Sequence, residues 1–159
     1  MSRKKFGDTK NKVKMLTSAD FNIERGVLNE KDLYTIMFYA DWCGHCQRAK
    51  PVYADLSNKC IYSNQKNLPD DSYCESKEIM SVEKNKRTKN RIYKVCLSAV
   101  DCEAQKQLVN NLNNLNIGFK ITGYPTFVQF KNGRFSRVYD APSSDHTRLL
   151  KFITGVHDY

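Results

Sequence analysis

The strongest constraint on the fold is an uninterrupted apolar segment that ends just before two closely spaced cysteines. The segment LYTIMFYA covers residues 33–40 and is rich in strand-forming residues. It is long enough for a buried strand and too short for a typical helix. Cys43 and Cys46 follow shortly afterwards. The sequence therefore predicts two thiols at the end of a central strand.

A helix is predicted to begin at these cysteines, because apolar residues recur at helical spacing after them. Ala49, Val52, Tyr53 and Leu56 lie at positions i, i+3, i+4 and i+7 and share one face. Pro51 lies inside the segment and is expected to kink the helix.

Other segments predict further strands and helices on either side of this junction. Strands are expected at 12–16, 92–100, 125–130 and 134–140, with Asn132-Gly133 as a hairpin turn. Capping signals predict a short helix that begins after Thr17 or Ser18 and ends near Gly26. Residues at helical spacing predict two more helices: one along Ala104, Leu108, Leu112 and Leu115, and one along His146, Leu149, Leu150 and Ile153 after a cap at Ser143 or Ser144.

The order of these elements predicts an α/β fold with a mixed central sheet and helices on both faces. Early strands joined by helices should be parallel, and the final hairpin should be antiparallel. We expect a single domain over residues 12–159, with a polar and basic insertion at about 57–91. Residues 1–11 are expected to be a basic, flexible tail.

Composition restricts the classes of partner. The formal charge is +9, but basic residues are interleaved with Asp and Glu, which argues against nucleic-acid binding. No run of 18 apolar residues predicts a membrane span. The N-terminus has no apolar signal segment, so a cytoplasmic location is expected. Six cysteines in a reducing compartment are a poor basis for a disulfide framework.

The spacing of Cys43 and Cys46 allows redox chemistry, a share of a zinc site or a structural disulfide. A helix N-terminus stabilises a thiolate, and CxxC cysteines there ionise more readily than ordinary thiols. Cys43 should lie at the mouth of the site as the attacking thiolate, and Cys46, one turn on, should face inward and resolve the mixed disulfide. His45 could stabilise the thiolate. Zinc needs four ligands, and no second CxxC or HxxxH pair follows at a suitable spacing.

The segment FYADWCGHCQRAKP (residues 38–51) resembles the FYAPWCGHCK…P signature of protein-disulfide-isomerase-type domains in the thioredoxin superfamily. Four other segments resemble the family in the expected order: VKMLTSADF (13–21), AVDC (99–102), GYPTFVQFKNG (123–133) and YDAP (139–142). The resemblance covers about 12–56 and 92–156. It fails over 57–91.

The resemblance implies a thioredoxin fold and assigns roles to matching residues. Cys43 is similar to the nucleophile and Cys46 to the resolving cysteine, with Gly44 and His45 between them. Three further residues are similar to those that support the site and bind substrate: Trp42 flanks it, Pro125 resembles the cis-proline, and Tyr124 would offer its backbone to an extended substrate.

Three positions depart from the family pattern. Met37 stands where isomerase domains have a buried Glu, an acid thought to take the proton of the resolving thiol. Ser143 replaces an Arg, and Gln47 replaces the Lys that follows the motif. Loss of the acid should slow closure of the Cys43–Cys46 disulfide, and the three changes together should disfavour efficient isomerisation.

We therefore predict a thiol-disulfide oxidoreductase that forms or exchanges disulfides in proteins, with no cofactor and no metal. The alternatives are a thioredoxin-like cytosolic reductant and a low-turnover binding or scaffold module. The Asn- and Lys-rich composition is compatible with a large DNA virus and with packaging in a virion. The insertion at 57–91 could mediate docking or oligomerisation.

The other four cysteines carry separate expectations. Cys96 is predicted to be a buried, inert thiol on a strand. Cys102 ends that strand and, if it is exposed there, could form a regulatory or intermolecular disulfide. Cys60 and Cys74 flank the insertion and could form a disulfide that closes it.

Overall fold

The computed structural model describes residue 6, residues 11–59 and residues 95–154 of the chain. In chain order its strands and helices are β1 (Lys14–Met15), β2 (Phe21–Asn22), β3 (Val27–Leu28), β4 (Leu33–Tyr39), α1 (Gly44–Ser57), β5 (Val95–Asp101), α2 (Lys106–Asn114), β6 (Thr126–Lys131), β7 (Arg134–Val138) and α3 (His146–Ile153). Most of the insertion predicted at 57–91, with Cys60, Cys74 and the basic run, lies outside the described residues. The single-domain boundaries therefore stay a prediction.

The main sheet has the strand order β1-β5-β4-β6-β7, with β4 at its centre. β5 runs parallel to both β1 and β4, whereas β6 runs antiparallel to β4 and to β7. The predicted mixed sheet is confirmed. Asn132 and Gly133 join β6 to β7 with positive φ angles of 54° and 84°, the conformation that a tight two-residue hairpin turn requires.

All seven residues of β4 are buried, because an apolar layer covers each face of the sheet at this strand. Met37 and Tyr39 pack with residues of α1 and α3 on one face. Ile36 and Phe38 pack with α2 and the β2–β3 hairpin on the other. The prediction of helices on both faces of the sheet is confirmed.

The predicted helix that ends near Gly26 is wrong. Thr17 caps only a single 3-10 turn, Ser18–Asp20, where Thr17 and Asp20 form a reciprocal capping box. The chain then turns back as the hairpin β2–β3, with Gly26 (φ 64°) in its turn. Phe21 and Leu28 pair across this hairpin and are buried in the α2-side layer, so tertiary packing overrides local helix signals.

The cap of the last helix also differs from the prediction. Asp145, rather than Ser143 or Ser144, precedes α3 as its N-cap, and its carboxylate accepts a hydrogen bond from the backbone N–H of Arg148 at 3.1 Å. A carboxylate suits this position because it meets both the unpaired amides and the positive end of the helix dipole.

A polar network ties α1 and the end of α3 to the sheet. The hydroxyl of Tyr53 lies 2.8 Å from the carbonyl oxygens of Thr35 and Ser98, and it accepts from the Ser98 N–H at 3.2 Å. The side-chain amide of Gln129 donates to the Thr35 hydroxyl at 3.1 Å and to the Ile153 carbonyl at 2.9 Å. These groups are buried and satisfy one another, as a stable interior requires.

Phe6 is buried against the α1 side of the sheet. Its ring makes edge contacts with Tyr39 at 5.3 Å and Tyr53 at 5.9 Å between centroids. This residue therefore departs from the expectation of a flexible tail. Residues 1–5 and 7–10 lie outside the described residues, and their part of that expectation stays a prediction.

Candidate active site

The two cysteines of the CxxC motif lie where β4 ends and α1 begins. Cys43 is the N-cap of α1, and Cys46 lies in its first turn. Both sulfurs are thiols, and both residues are buried, Cys43 at 8% exposure and Cys46 at 0%. The prediction that a helix begins at the cysteines is confirmed, and Pro51 lies inside it. Cys43 thus meets the amide end of a long helix, where an anion is stabilised.

The loop before β6 faces Cys43. The Tyr124-Pro125 peptide bond is cis, as the resemblance implied. The thiol of Cys43 donates to the carbonyl oxygen of Tyr124 at a sulfur–oxygen distance of 3.3 Å. The fold therefore brings together residues that lie far apart in the sequence.

Trp42 forms an exposed aromatic rim beside the cysteines. Its side chain is 57% exposed, and its ring meets that of Tyr124 edge-on at 5.8 Å between centroids. Tyr124 also separates two depressions in the surface. One, of about 400 Å³, lies between Trp42 and the start of α2, and the other, of about 280 Å³, lies between His45 and Pro125. A polypeptide could contact both sides of the site at once.

Gly44 and His45 lie exposed in the first turn of α1. The guanidinium of Arg48 is 3.0 Å from Nδ1 of His45. Because arginine can only donate hydrogen bonds, Nδ1 of His45 is the acceptor in this contact. Arg48 was missed by the sequence analysis, although its i, i+3 spacing from His45 was a usable signal.

Cys46 has a strongly raised pKa. Burial is the largest cause and raises the pKa of this thiol to about 12. A backbone hydrogen bond at Ala40 opposes the shift, the neighbouring Cys43 adds to it, and the positive charge of Lys50 opposes it. Cys46 is therefore held as a neutral thiol in the reduced protein.

An acid is absent from the position that the resemblance singled out, and a lysine lies nearby. Met37 is fully buried in the same layer as Cys46. Lys50, one turn beyond Cys46, is 6% exposed and pairs with the carboxylate of Asp41. Sequence analysis missed this pair, although Lys50 shares the i, i+4 spacing of the buried helix face.

The two other departures from the family pattern lie at the rim of the site. Gln47 is exposed, and its side-chain amide donates to the Asp41 carbonyl oxygen at 2.8 Å. Ser143 is half-buried and lines the smaller depression together with His45 and Pro125. Neither residue contributes a charge where the family has a cation.

The predictions for Cys96 and Cys102 are both corrected. Cys102 is 4% exposed rather than accessible, because the end of β5 is covered; it lines the base of the larger depression below Tyr124. Burial raises its pKa to about 12. Cys96 is only partly buried, because it packs at the periphery of the α2-side layer.

Within the described ranges, no three His, Cys, Asp or Glu side chains are grouped in a way that could hold a metal ion. Among the helices in these ranges, none has both the length and the apolar character needed to cross a bilayer.

The chain is similar in sequence to thioredoxin-family proteins. The thioredoxin family model matches residues 12–68. Protein disulfide-isomerase A6 of Mesocricetus auratus is 27% identical over 134 residues, which cover 84% of this chain and 23% of that protein. The human protein disulfide-isomerase A6 is 26% identical over 133 residues, covering 84% and 22%. The chain therefore spans less than a quarter of the length of these curated relatives.

Solved structures show the same architecture. Malassezia sympodialis thioredoxin superposes with a TM-score of 0.53 at 22% identity, covering 91% of this chain and 90% of that one. The zinc-bound form of human ERp44 gives 0.51 at 21% identity, covering 90% and 29%. These likenesses confirm the predicted α/β thioredoxin fold.

Proposed function

Because this chain belongs to the thioredoxin superfamily and carries a domain similar to those of protein disulfide isomerases, we propose that it is a thiol-disulfide oxidoreductase that acts on protein cysteines through Cys43 and Cys46. The observation that carries the proposal is the asymmetry of the two sulfurs. Cys43 lies at the amide end of α1 and contacts the Tyr124 carbonyl at the rim, whereas Cys46 is fully buried beneath it.

The two thiols have complementary roles in the proposed exchange. In the oxidised protein, a substrate thiolate attacks the sulfur of Cys43, and Cys46 leaves as a thiolate that takes up a proton. A second substrate thiolate then attacks the substrate sulfur of the mixed disulfide and releases Cys43. The substrate gains a disulfide, and the pair is reduced to two thiols. The reverse sequence reduces a substrate disulfide.

The surface around Cys43 supports a protein substrate. The exposed Trp42 ring and the half-buried Tyr124 offer an apolar contact next to the reacting sulfur. The two depressions on either side of Tyr124 provide room for the flanking residues of an extended segment. Strand-like pairing with the backbone at Tyr124 would hold such a segment in register.

A second candidate is a module that retains partners as long-lived mixed disulfides. Met37 supports it, because this buried apolar side chain gives Cys46 no carboxylate as a proton acceptor. Slow deprotonation of Cys46 would delay the step that releases the partner. The two candidates therefore differ in the rate of release rather than in the residues involved.

Turnover and trapping distinguish these functions. Wild type, Cys43→Ser and Cys46→Ser are mixed with a reduced, unfolded protein and a glutathione buffer, and disulfide formation is followed by mass spectrometry. We expect catalysis by wild type, no catalysis by Cys43→Ser, and accumulation of a mixed disulfide with Cys46→Ser. A wild-type protein that forms mixed disulfides but hardly releases them indicates the retention module. Equal behaviour of wild type and Cys43→Ser contradicts both functions.

The location and assembly of the protein stay predictions. A cytoplasmic location, packaging in a virion and oligomerisation through the insertion at 57–91 rest on the sequence alone. The thioredoxin-like reductant also remains an alternative, because the direction of electron flow depends on the reduction potential of the Cys43–Cys46 pair.

A further inference from the structure

Lys50 is a charged side chain in an apolar interior. It is 6% exposed, and its ammonium group pairs with the carboxylate of Asp41, whose side chain is 21% exposed. The same ammonium lies 4.4 Å from the ring centroid of Tyr39 and 5.7 Å from that of Phe6. Lysine is rarely buried to this extent, because removing its charge from water is costly.

The position of Lys50 links it to the buried cysteine. Lys50 follows Cys46 by four residues in α1, so the two side chains lie on the same helix face. Its positive charge acts on Cys46 and partly offsets the effect of burial on that thiol. An apolar residue would fill the site without the cost of a buried charge. The arrangement therefore calls for a role beyond packing.

We propose that Lys50, anchored by Asp41, is a positioning residue for the resolving step, in which its ammonium stabilises the Cys46 thiolate that attacks the mixed disulfide on Cys43. This inference rests on the proposed function of the cysteine pair. Lys50 would supply positive charge in a layer where Met37 offers no carboxylate.

The step balances without another reagent. Cys46 gives its proton to water or to a buffer base, and its thiolate forms a bond with the sulfur of Cys43. The bond between Cys43 and the partner sulfur breaks, and the partner leaves with the electron pair and then takes up a proton. Lys50 keeps its own proton throughout. The site ends as the Cys43–Cys46 disulfide, and the partner ends as a thiol.

The other titratable groups that act on Cys46 have the opposite effect when they ionise. Three such groups remain while Cys43 is bonded to the partner: Tyr39 in β4, Cys102 just after β5 and Tyr124 before β6. Each of them becomes negative on losing a proton, which would disfavour a second negative charge on Cys46. Asp41 is already paired with Lys50. The Lys50 ammonium opposes these effects.

An aromatic disulfide reagent that releases a coloured thiolate separates the two steps in one experiment. Added below the protein concentration, 5,5′-dithiobis(2-nitrobenzoate) releases one thiolate when Cys43 attacks it and a second when Cys46 closes the ring. Cys46→Ser removes the second phase and identifies it. The second phase is then measured as a function of pH in wild type, Lys50→Met and Lys50→Arg.

We expect Lys50→Met to slow the second phase at neutral pH by about threefold for each unit by which the Cys46 pKa rises. The thiolate fraction falls about tenfold per unit, and greater nucleophilicity offsets part of that loss. The pH profile of the second phase should move to higher pH, while the first phase keeps its rate. Lys50→Arg, which keeps the charge, should restore the profile.

An unchanged second-phase profile in Lys50→Met overturns the inference, and so does an equal defect in Lys50→Met and Lys50→Arg. Thermal unfolding monitors the fold of each variant. If Lys50→Met does not fold, the double variant Lys50→Met/Asp41→Asn, which removes both charges, takes its place. An unchanged second-phase pH profile in that variant overturns the inference in the same way. A wild-type protein without any second phase contradicts the proposed function itself, which separates the two failures.

Discussion

Two polar groups are buried in the layer between the sheet and α1, and they are held in different ways. The Tyr53 hydroxyl binds neutral backbone groups of β4 and β5. Lys50 pairs instead with the carboxylate of Asp41 and lies over the aromatic rings of Tyr39 and Phe6. The Tyr53 network lies deeper along α1, whereas the charged pair lies one turn from Cys46.

The difference suggests what each arrangement contributes. Hydrogen bonds between buried neutral groups add stability and fix the relative positions of helices and strands. A buried ion pair contributes little net stability, because the cost of desolvating two charges offsets their attraction. We therefore expect the Tyr53 network to govern folding and Lys50 to govern the reactivity of Cys46.

The largest effect is expected from placing an acid in this layer. Met37→Glu should reduce the free energy of unfolding by roughly 2–4 kcal/mol near neutral pH, because it buries an ionisable carboxyl. Burial raises the pKa of such a carboxyl in the folded state, so the loss should be small in acid and grow as pH rises through the unfolded-state value. Met37→Leu, which stays apolar, is the matched control in urea unfolding at several pH values.

The same variant tests the chemistry of ring closure. A carboxylate near Cys46 would accept its proton, so Met37→Glu should accelerate the second phase of the disulfide-reagent reaction by roughly tenfold or more. Met37→Leu should leave that phase at the wild-type rate. If Met37→Glu folds and closes no faster, proton transfer from Cys46 does not limit closure.

Removing one hydroxyl tests the Tyr53 network. Tyr53→Phe leaves the Thr35 and Ser98 carbonyls and the Ser98 N–H without this partner, which should cost about 1–3 kcal/mol in urea unfolding. The rates of both phases should be unchanged. The double variant Lys50→Met/Asp41→Asn is measured alongside. It should lower the free energy of unfolding less than Tyr53→Phe does, and it should slow the second phase of the disulfide-reagent reaction more. The opposite pattern would contradict the assignment of stability to the Tyr53 hydrogen bonds and of Cys46 reactivity to Lys50.

Alkaline pH should destabilise the reduced protein. Burial raises the folded-state pKa values of Cys46 and Cys102 to about 12, above their ordinary value of 9.0. The unfolded state therefore loses these protons first, and the stability they contribute is full below pH 9 and is lost between pH 9 and 12. Each thiol should add about 1.4 kcal/mol per pH unit to the slope in that window.

Cysteine variants isolate this contribution from that of the buried tyrosines. Cys102→Ala should flatten the dependence of the unfolding free energy on pH between pH 9 and 12, measured by urea unfolding in the presence of a reductant. Cys46→Ala should do the same. An unchanged slope in both variants would mean that these thiols ionise as readily in the folded protein as in the unfolded chain.

The smallest effect on stability is expected at the rim. Trp42→Ala should change the free energy of unfolding by less than about 1 kcal/mol, because the side chain is 57% exposed. It should nevertheless weaken the reaction with peptide disulfides, since it removes the surface beside Cys43. Val138→Ala, at another exposed apolar residue (37%), is the control for stability. Equal reactivity of both variants towards peptides would exclude Trp42 from substrate contact.

Local patterns predicted much of the fold. The strand at 33–40, the helix after Cys43 and the Asn132-Gly133 hairpin were found because their signals lie within a few neighbouring residues. The cis bond at Pro125 came from resemblance alone, since only about 5–6% of X-Pro bonds in folded proteins are cis. The β2–β3 hairpin was missed because its pairing depends on burial against α2.

The candidate site was predictable in its reactive atoms and less so in their surroundings. Cys43 and Cys46 follow from the motif, but the burial of Cys102 depends on how the end of β5 packs below Tyr124. Lys50 looks like an ordinary helix cation in the sequence, and only the packing of aromatic rings around its ammonium shows that it is buried. Contacts between distant segments are what the sequence patterns leave undetermined.

A redox titration of the purified protein in glutathione buffers shows whether Cys43 and Cys46 act as a redox pair. Thiols are trapped at each ratio and assigned to individual cysteines by mass spectrometry. We expect Cys43 and Cys46 to oxidise together as one disulfide, at a potential closer to that of protein disulfide isomerase, about −180 mV, than to that of thioredoxin, about −270 mV. If both remain thiols at every ratio, they are not a redox pair and the proposed function is wrong.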